Sequence, residues 1–324
     1  MGTAFVFSSA LASFPISVIN LDRDEARLAS VMRELKAQGV LKSAFERQSA
    51  VLGSSLSDEE LCANTTFLAR WLATRGMIGC YLSHRNFWKS VQQRDAEWAV
   101  VLEDDVQLED AFCARVSQAV EELQACAETR DKWDVLMLGA LGCVNPERKY
   151  GGGRISAFIA GGGRKPRQVT EHVHVPHRPF GTHAYALSKR GAAKLLQRAP
   201  IASSHIDAVA WGLRDLNLYC VHPMLAHQAF DDSTIGGTQG GPESRLPNVC
   251  IDEYTKITLR WAFNEPVLYI VPLKLKLTIG RSLLLLVLGY AAALLSGSRA
   301  LLAIHSGVFV ATAMLIRHMA QPVC

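Results

Sequence analysis

The sequence predicts an α/β fold. Three observations lead there: short charge-free runs that read as buried strands, intervening segments with apolar residues at helical spacing, and their alternation over about 220 residues without an internal repeat. At 324 residues the chain has room for one large or two ordinary domains. Hydrophobic content of 49% with 20% charge is globular, tilted slightly toward membrane. The net charge is +4 and the basic residues are spread out rather than blocked together, which argues against a nucleic-acid partner. Eight cysteines are scattered with no C-x-x-C pair, so they read as buried thiols or occasional disulfides and leave the redox compartment open.

Taken in order, residues 1–14 are apolar and small but lack the basic start of a secretory signal. Residues 15–21 read as a first buried strand, and 24–38 as a charged helix ended by Gly39. A polar stretch with Gly53, Ser54 and Ser55 is loop leading to a helix start at residues 57–60. Asn64-Thr65-Thr66 is a glycosylation sequon by pattern, relevant only on a luminal face. Residues 76–91 are helical, with Met77, Tyr81, Trp88 and Val91 on one side. A strand at 98–102, a helix at 112–128 and a strand at 134–139 follow. Between 142 and 179 two glycine triplets, 151–153 and 161–163, flank a short segment, which reads as a mobile flap over a ligand or as plain loop. A strand at 180–187, helices at 189–198 and 206–216, and a strand at 217–221 complete the alternation.

The most informative residues are Glu103, Asp104 and Asp105. They follow the five apolar residues 98–102 directly, so they stand at the C-terminal tip of a strand buried on both faces, where open α/β sheets place ligands. Adjacent carboxylates repel unless a cation or donors offset them, and hard oxygen ligands suit Mn²⁺ or Mg²⁺ bridging a diphosphate. The alternative is a solvated turn that starts the next helix. His172, His174 and His177 form an H-x-H-x-x-H cluster for which a zinc site is geometrically open.

The C-terminal end carries two charge-poor apolar runs, 282–296 and 300–316, separated by Gly297-Ser298-Arg299. They are slightly short of the ~20 residues of a spanning helix. The leucine-rich run shows no polar face, which favours membrane association, as a helical hairpin at 281–317 or a pair of short spans, over a pair of core helices. Lys274, Lys276 and Arg281 precede the pair and Arg317 and His318 follow it; if both runs span, the positive-inside tendency puts the remaining domain on the cytosolic side. The chain divides into an N-terminal segment 1–14, an α/β domain 15–240, a linker 241–280 and this hairpin.

Several pieces in order resemble the glycosyltransferases of family 25. Ile19-Asn20-Leu21-Asp22-Arg23 with Arg27 resembles that family's opening motif, and Gly79-Cys80-Tyr81-Leu82-Ser83-His84 with Trp88 its second. Val101 to Val106 resembles its acidic motif, and Gly181 to Ser188 with Gly191-Ala192 its fourth. Ile206-Asp207 and residues 222–233 resemble the last two; beyond residue 241 the resemblance stops. The resemblance implies a GT-A (Rossmann-like) fold, a UDP-sugar donor (UDP-galactose most often), Mn²⁺ or Mg²⁺, inversion at the anomeric carbon, and a glycan, glycoprotein or glycolipid acceptor; the apolar tail, outside the resemblance, is what places the chain at an endomembrane or cytoplasmic membrane, with its sidedness open. Glu103 and Asp105 resemble the outer acids of a D-x-D metal motif, although the longer glutamate arm reaches ribose equally well. His227 and His222 are candidate further metal ligands. Asn20, Arg23, Arg27 and Asp104 suit the nucleotide, while Ser83 and His84 either reach the diphosphate or stabilise the fold. Asp207 is the candidate general base, with a helix N-cap as the alternative, and Asp231 or Asp232 are candidates to meet the acceptor. A catalytically inactive, membrane-bound binding subunit is the other function class.

Overall fold

The computed structural model describes residues 14–40, 44–149, 151–229 and 246–321. In chain order come β1 (Ile16–Asn20), α1 (Glu25–Ala37), β2 (Phe45–Ser49), α2 (Asp58–Asn64), α3 (Phe67–Leu72), α4 (Arg75–Gln93), β3 (Trp98–Glu103), β4 (Val106–Leu108), α5 (Phe112–Ala125) and β5 (Val135–Cys143). Next are α6 (Gly151–Ile159), β6 (Arg167–Gln168), β7 (Val173–Val175), β8 (Arg178–Ser188), α7 (Lys189–Arg198), α8 (Ile206–Ala210), β9 (Leu218–Val221) and β10 (Ala226–Gln228). After residue 246 follow β11 (Cys250–Asp252), β12 (Ile257–Thr258), α9 (Leu259–Asn264), β13 (Pro266–Ile270), β14 (Leu275–Thr278), α10 (Ile279–Ser296) and α11 (Arg299–Met319).

The α/β expectation holds. Eight strands form one sheet in the order β2-β1-β3-β8-β5-β9-β7-β6, six running one way and β8 and β7 the other. Period-two alternation explains why its central strands read as uninterrupted apolar runs. In β3, Ala99 and Val101 enter one core with Trp88 and Tyr185, while Val100 and Leu102 enter the other with Leu35 and Val116. In β5, Val135 and Met137 divide from Leu136 and Leu138 in the same way. Helices α4 and α7 cover the first face, and α1 and α5 the second. The register sets Ile19 opposite Glu103, so the tips of β1 and β3 end side by side.

Several expectations are corrected. The polar stretch before the first loop contains an edge strand, β2, whose Arg47 and Glu46 keep it half solvated. The glycine-rich segment is not a free flap: its first triplet starts α6, and Gly161 and Gly162 take left-handed φ values of 111° and 89° where that helix ends. Arg164 then donates to the carbonyls of Trp211 and Leu213, anchoring the segment. The helix expected at 206–216 stops at Ala210, because Trp211 turns inward and its Nε1 donates to the Gly181 carbonyl. Residues 246–280, expected as linker, hold two small two-stranded sheets and α9. The Asn64 side chain is engaged at both ends, donating to Glu60 O and accepting from Arg85.

Two C-terminal helices, α10 and α11, form a hairpin closed by Gly297 at φ 63°. Tyr290 Oη lies 3.1 Å from Ser306 Oγ, and His305 Nε2 donates to Leu286 O, so their few polar groups face each other. Their mean hydropathy is 1.8 and 1.7, and by length and composition both are apolar enough to cross a membrane.

Candidate functional site

The cleft forms where β1, β3, the loop after β2 and the first turns of α4 meet. Its lining includes Asn20, Arg23 and Arg27 from β1 and the segment after it, Val51 to Ser54 from the loop, Arg75, Gly76, Cys80, Ser83 and His84 from α4, and Glu103, Asp104, Asp105 and Gln228. On α4, positions 76, 80, 83 and 84 fall on one stripe at helical period, which is why they share the cleft wall. Two glycines bring that wall close. A Cβ on Gly53 would stand 1.7 Å from Arg75 O, and one on Gly79 would stand 2.5 Å from Val51 O. Only residues without side chains let the loop backbone pack on the helix backbone. Ser83 locks the contact: its hydroxyl accepts from Val51 N and donates to Gly79 O. Of the two roles open to Ser83, these bonds serve the fold.

The three acids have three different environments. Asp104 is buried and accepts from Asn20 Nδ2 at 2.7 Å and from Arg27 at 2.9 Å, so it ties the tips of β1 and β3 together. Burial still raises its carboxyl above the usual range, opposed by Asn20 and Arg27. Glu103 Oε1 accepts from Thr182 Oγ1 at 2.5 Å and meets His84 Nε2 at 3.1 Å. Burial pushes its carboxyl up, but His84, Thr182 and His183 together outweigh that and hold it below its ordinary value. Asp105 Oδ2 accepts from Gln228 Nε2 at 3.1 Å and from Arg27 at 3.4 Å, while its Oδ1 is buried with no hydrogen-bond partner. Burial, with the Glu103 charge beside it, pushes Asp105 up to about 7.

A polar chain runs behind Glu103. Trp88 Nε1 donates to Tyr185 Oη at 3.0 Å, and Tyr185 Oη lies 3.1 Å from His84 Nδ1. With its oxygen accepting from Trp88, the tyrosine donates its one proton to Nδ1. That assigns the His84 tautomer with its proton on Nε2, directed at Glu103. His84 is thus a buried, hydrogen-bonded residue of the fold that also touches the first acid. Cys80, His84 and Glu103 offer ligand atoms within 4.8 Å of one another. Burial and the neighbouring acids hold the Cys80 thiol well above its ordinary value, so it remains protonated.

The remaining predicted residues are dispersed. Arg23 lines the cleft mouth, exposed and 3.6 Å from Asp24. His227 is not turned to the acids: its Nε2 pairs with Glu109 at 3.0 Å, and its Nδ1 is buried without a partner. His222 contacts Tyr254 Oη. Asp207 is not an N-cap, since His205 holds that position. Its two oxygens accept backbone N–H groups from Gly181 and Ala208, each at 2.7 Å, which pins the start of α8 to β8. The histidine cluster is no zinc site in this arrangement. His172 pairs with Glu122, His174 Nε2 donates to Val144 O, and His177 lies 2.9 Å from Arg164 O. Asp231 and Asp232 fall outside the described residues.

Cys80, Thr182, His183 and Gln228 are site residues that the sequence reading did not single out. Their signal was present, because Cys80, Thr182 and His183 lie inside the quoted motifs and Gln228 in the last polar run. Nothing in spacing says which motif residue turns toward the acids. His183 fits beneath Gly139, where a Cβ would stand 2.4 Å from its ring, and burial drops it to about 4, so it stays neutral.

Fold and site define a mixed α/β protein with an acid-tipped cleft at the carboxyl ends of parallel strands. A family model described as glycosyltransferase family 25 (LPS biosynthesis protein) matches residues 14–209. The chain belongs to glycosyltransferase family 25. Similar curated proteins include procollagen galactosyltransferase 2 of Mus musculus, 32% identical over 195 residues, covering 57% of this chain and 28% of that protein. Procollagen galactosyltransferase 1-B of Xenopus laevis is 28% identical, covering 51% of this chain and 27% of its own. The inactive glycosyltransferase 25 family member 3 of Homo sapiens is 31% identical, covering 51% and 28%. The chain thus spans under a third of the length of these relatives. Among solved structures, mannose-1-phosphate geranyltransferase from Thermus thermophilus aligns at TM-score 0.32 and 12% identity over 64% of this chain and 73% of that one, too distant to bear on function.

Proposed function

We propose that the chain is a metal-dependent, inverting hexosyltransferase of GT-A type. It moves galactose, or failing that glucose, from a UDP-sugar to a hydroxyl of a glycan, glycolipid or hydroxylysine-type protein acceptor. The observation that carries the reading is Asp105, whose Oδ1 is buried without a partner and whose carboxyl stays raised although Arg27 stands 3.4 Å from its other oxygen. Carboxylate oxygens suit a hard divalent ion such as Mn²⁺ or Mg²⁺, which Asp105 and Glu103 would hold. Such an ion, when bound, supplies charge neutralisation to a diphosphate leaving group.

The other roles belong to the chain itself. Asn20 and Arg27 hold Asp104 and so set the spacing of the two strand tips against which a nucleotide lies. Arg23 and Arg75, with the N-terminus of α4, give the cleft a positive rim suited to phosphate oxygens. Asp207 is the base candidate. Each of its carboxylate oxygens accepts one backbone N–H and retains capacity to accept an acceptor hydroxyl's proton. The hairpin inserts into an endomembrane or cytoplasmic membrane and keeps the α/β domain on the cytosolic side, in line with the basic residues at its base. A donor screen tests the activity: UDP release from UDP-galactose or UDP-glucose with a hydroxyl acceptor panel, with and without Mn²⁺. No release from any UDP-sugar overturns it.

A second reading, a binding subunit without turnover, is favoured by Arg27. Its guanidinium spans Asp104 and Asp105 and supplies charge where a cation would stand. Calorimetric UDP-sugar binding that is indifferent to Mn²⁺, with no release, supports this reading over the first.

A further inference from the structure

The base of the hairpin, where α10 begins and α11 ends, is ringed by large apolar side chains of the globular domain. Helix α3 packs on β13 and on the single turn Val271–Leu273 that leads through β14 into α10. It exposes Phe67 (65%) and Trp71 (46%), their rings 6.2 Å apart, and Leu273 in the adjoining turn is 70% exposed. Near the end of α11, α6 packs on that helix and exposes Ile155 and Phe158, with the Arg317 guanidinium 5.4 Å above the Phe158 ring. Apolar groups of this size are costly to leave in water. They form a rim rather than scattered singles.

Charge is distributed along the same axis. Lys274, Arg281 and Arg317 stand at the base beside this rim, and Arg70 lies 5.8 Å over the Phe67 ring, whereas the far turn holds only Arg299. The lengths agree as well. Eighteen and 21 residues rise about 27 and 32 Å as helix, close to the ~30 Å of a bilayer's hydrocarbon core. A hairpin that crosses therefore brings its base, and the rim with it, to the headgroup layer, where aromatic side chains and arginines are at home.

We propose that this rim is a docking surface for an anionic bilayer. Phe67, Trp71, Leu273, Ile155 and Phe158 enter the interfacial layer, and the neighbouring cations meet headgroup phosphates. The domain is then held against the membrane rather than tethered loosely above it. The proposal rests on the reading that the hairpin inserts.

The test uses the full chain reconstituted into vesicles of mixed phosphatidylcholine and phosphatidylserine carrying bromine either near the headgroup or deep in the acyl chains. The chain has six tryptophans, so the Trp71 share is read as the difference between the parent and Trp71→Phe, which keeps a ring in place. Co-flotation with the vesicles, together with a Trp71 component quenched more by shallow than by deep bromine and weakened when phosphatidylserine is left out, is the expected result. Co-flotation without a Trp71-dependent component overturns the docking surface and leaves the inserted hairpin standing. Absence of co-flotation overturns both. Trp71 emission that depends on protein concentration and not on bromine assigns the rim to a second copy of the chain and likewise overturns the proposal.

Discussion

Replacing Asp105 by asparagine tests the site through stability and turnover together. In metal-free protein, burial and Glu103 raise the Asp105 carboxyl from 3.8 to about 7. The fold thus favours its neutral form. The stability this provides is complete below about pH 3.8, declines as pH rises, and is gone above about 7. At about 1.4 kcal/mol per pH unit, ionising the group in place costs roughly 4 kcal/mol. The replacement amide is neutral at every pH, but its NH₂ group takes the place of the unpartnered Oδ1 and costs about 1–3 kcal/mol at all pH values. The clean observable is therefore the difference of differences. Variant-minus-parent stability, from denaturant unfolding in chelator, should grow by roughly 4 kcal/mol between about pH 4 and pH 8. Mn²⁺ at pH 8 should stabilise the parent and not the variant, and transfer should fall by at least about 10². An unchanged pH slope refutes the buried neutral carboxyl. Turnover within about tenfold of the parent at saturating Mn²⁺ refutes its role as a ligand.

Asp207→Asn should retain UDP-sugar and Mn²⁺ binding by calorimetry, lower transfer by roughly 10² to 10⁴, and remove the acidic limb of the pH profile. It should also cost about 1–3 kcal/mol of stability, because one of the two N–H groups now at its oxygens would face an amide NH₂; an unchanged pH profile rules it out as base. Gly53→Ala places a Cβ 1.7 Å from Arg75 O, so the loop must leave α4, and both the urea midpoint and donor affinity should fall; parental values for both contradict the close contact. Tyr185→Phe leaves Trp88 Nε1 and His84 Nδ1 unpartnered at a cost of about 2 kcal/mol, readable in denaturant unfolding, and a neutral result contradicts the buried hydrogen-bonded chain. Removing residues 280–324 should free the domain from detergent-requiring extraction, and aggregation with loss of near-ultraviolet dichroism would instead make the hairpin part of the core.

Much was legible in order along the chain. The buried strands β1, β3 and β5 were readable because both faces of a central strand demand apolar residues, leaving an unbroken run bounded by charge. The acids at the tip of β3 were readable because three adjacent carboxylates repel one another unless donors or a cation offset them. The hairpin was readable from the absence of a polar face in two charge-poor runs joined at Gly297-Ser298-Arg299. What failed were short or polar pieces. The edge strand β2 is only half buried and so carries no apolar signature. The start of α6 is written in glycines, whose local preference opposes helix. The end of α8 is set by a hydrogen bond from Trp211 to a strand distant in sequence.

The site divides along the same line. Residue types determined the chemistry available: carboxylates for a cation, arginines for phosphate, and glycines where backbones must approach. Only the tertiary structure decided which acid does what. Asp104 is spent on Asn20 and Arg27, Glu103 is held by His84 and Thr182, and Asp105 alone of the three keeps a buried oxygen unpartnered. It likewise turned His227 toward Glu109 and gave Asp207 two backbone donors in place of a cap. The reason is physical. A strand's pattern sets which face a side chain takes, but the partners it meets come from elements far away along the chain, and no local period encodes them.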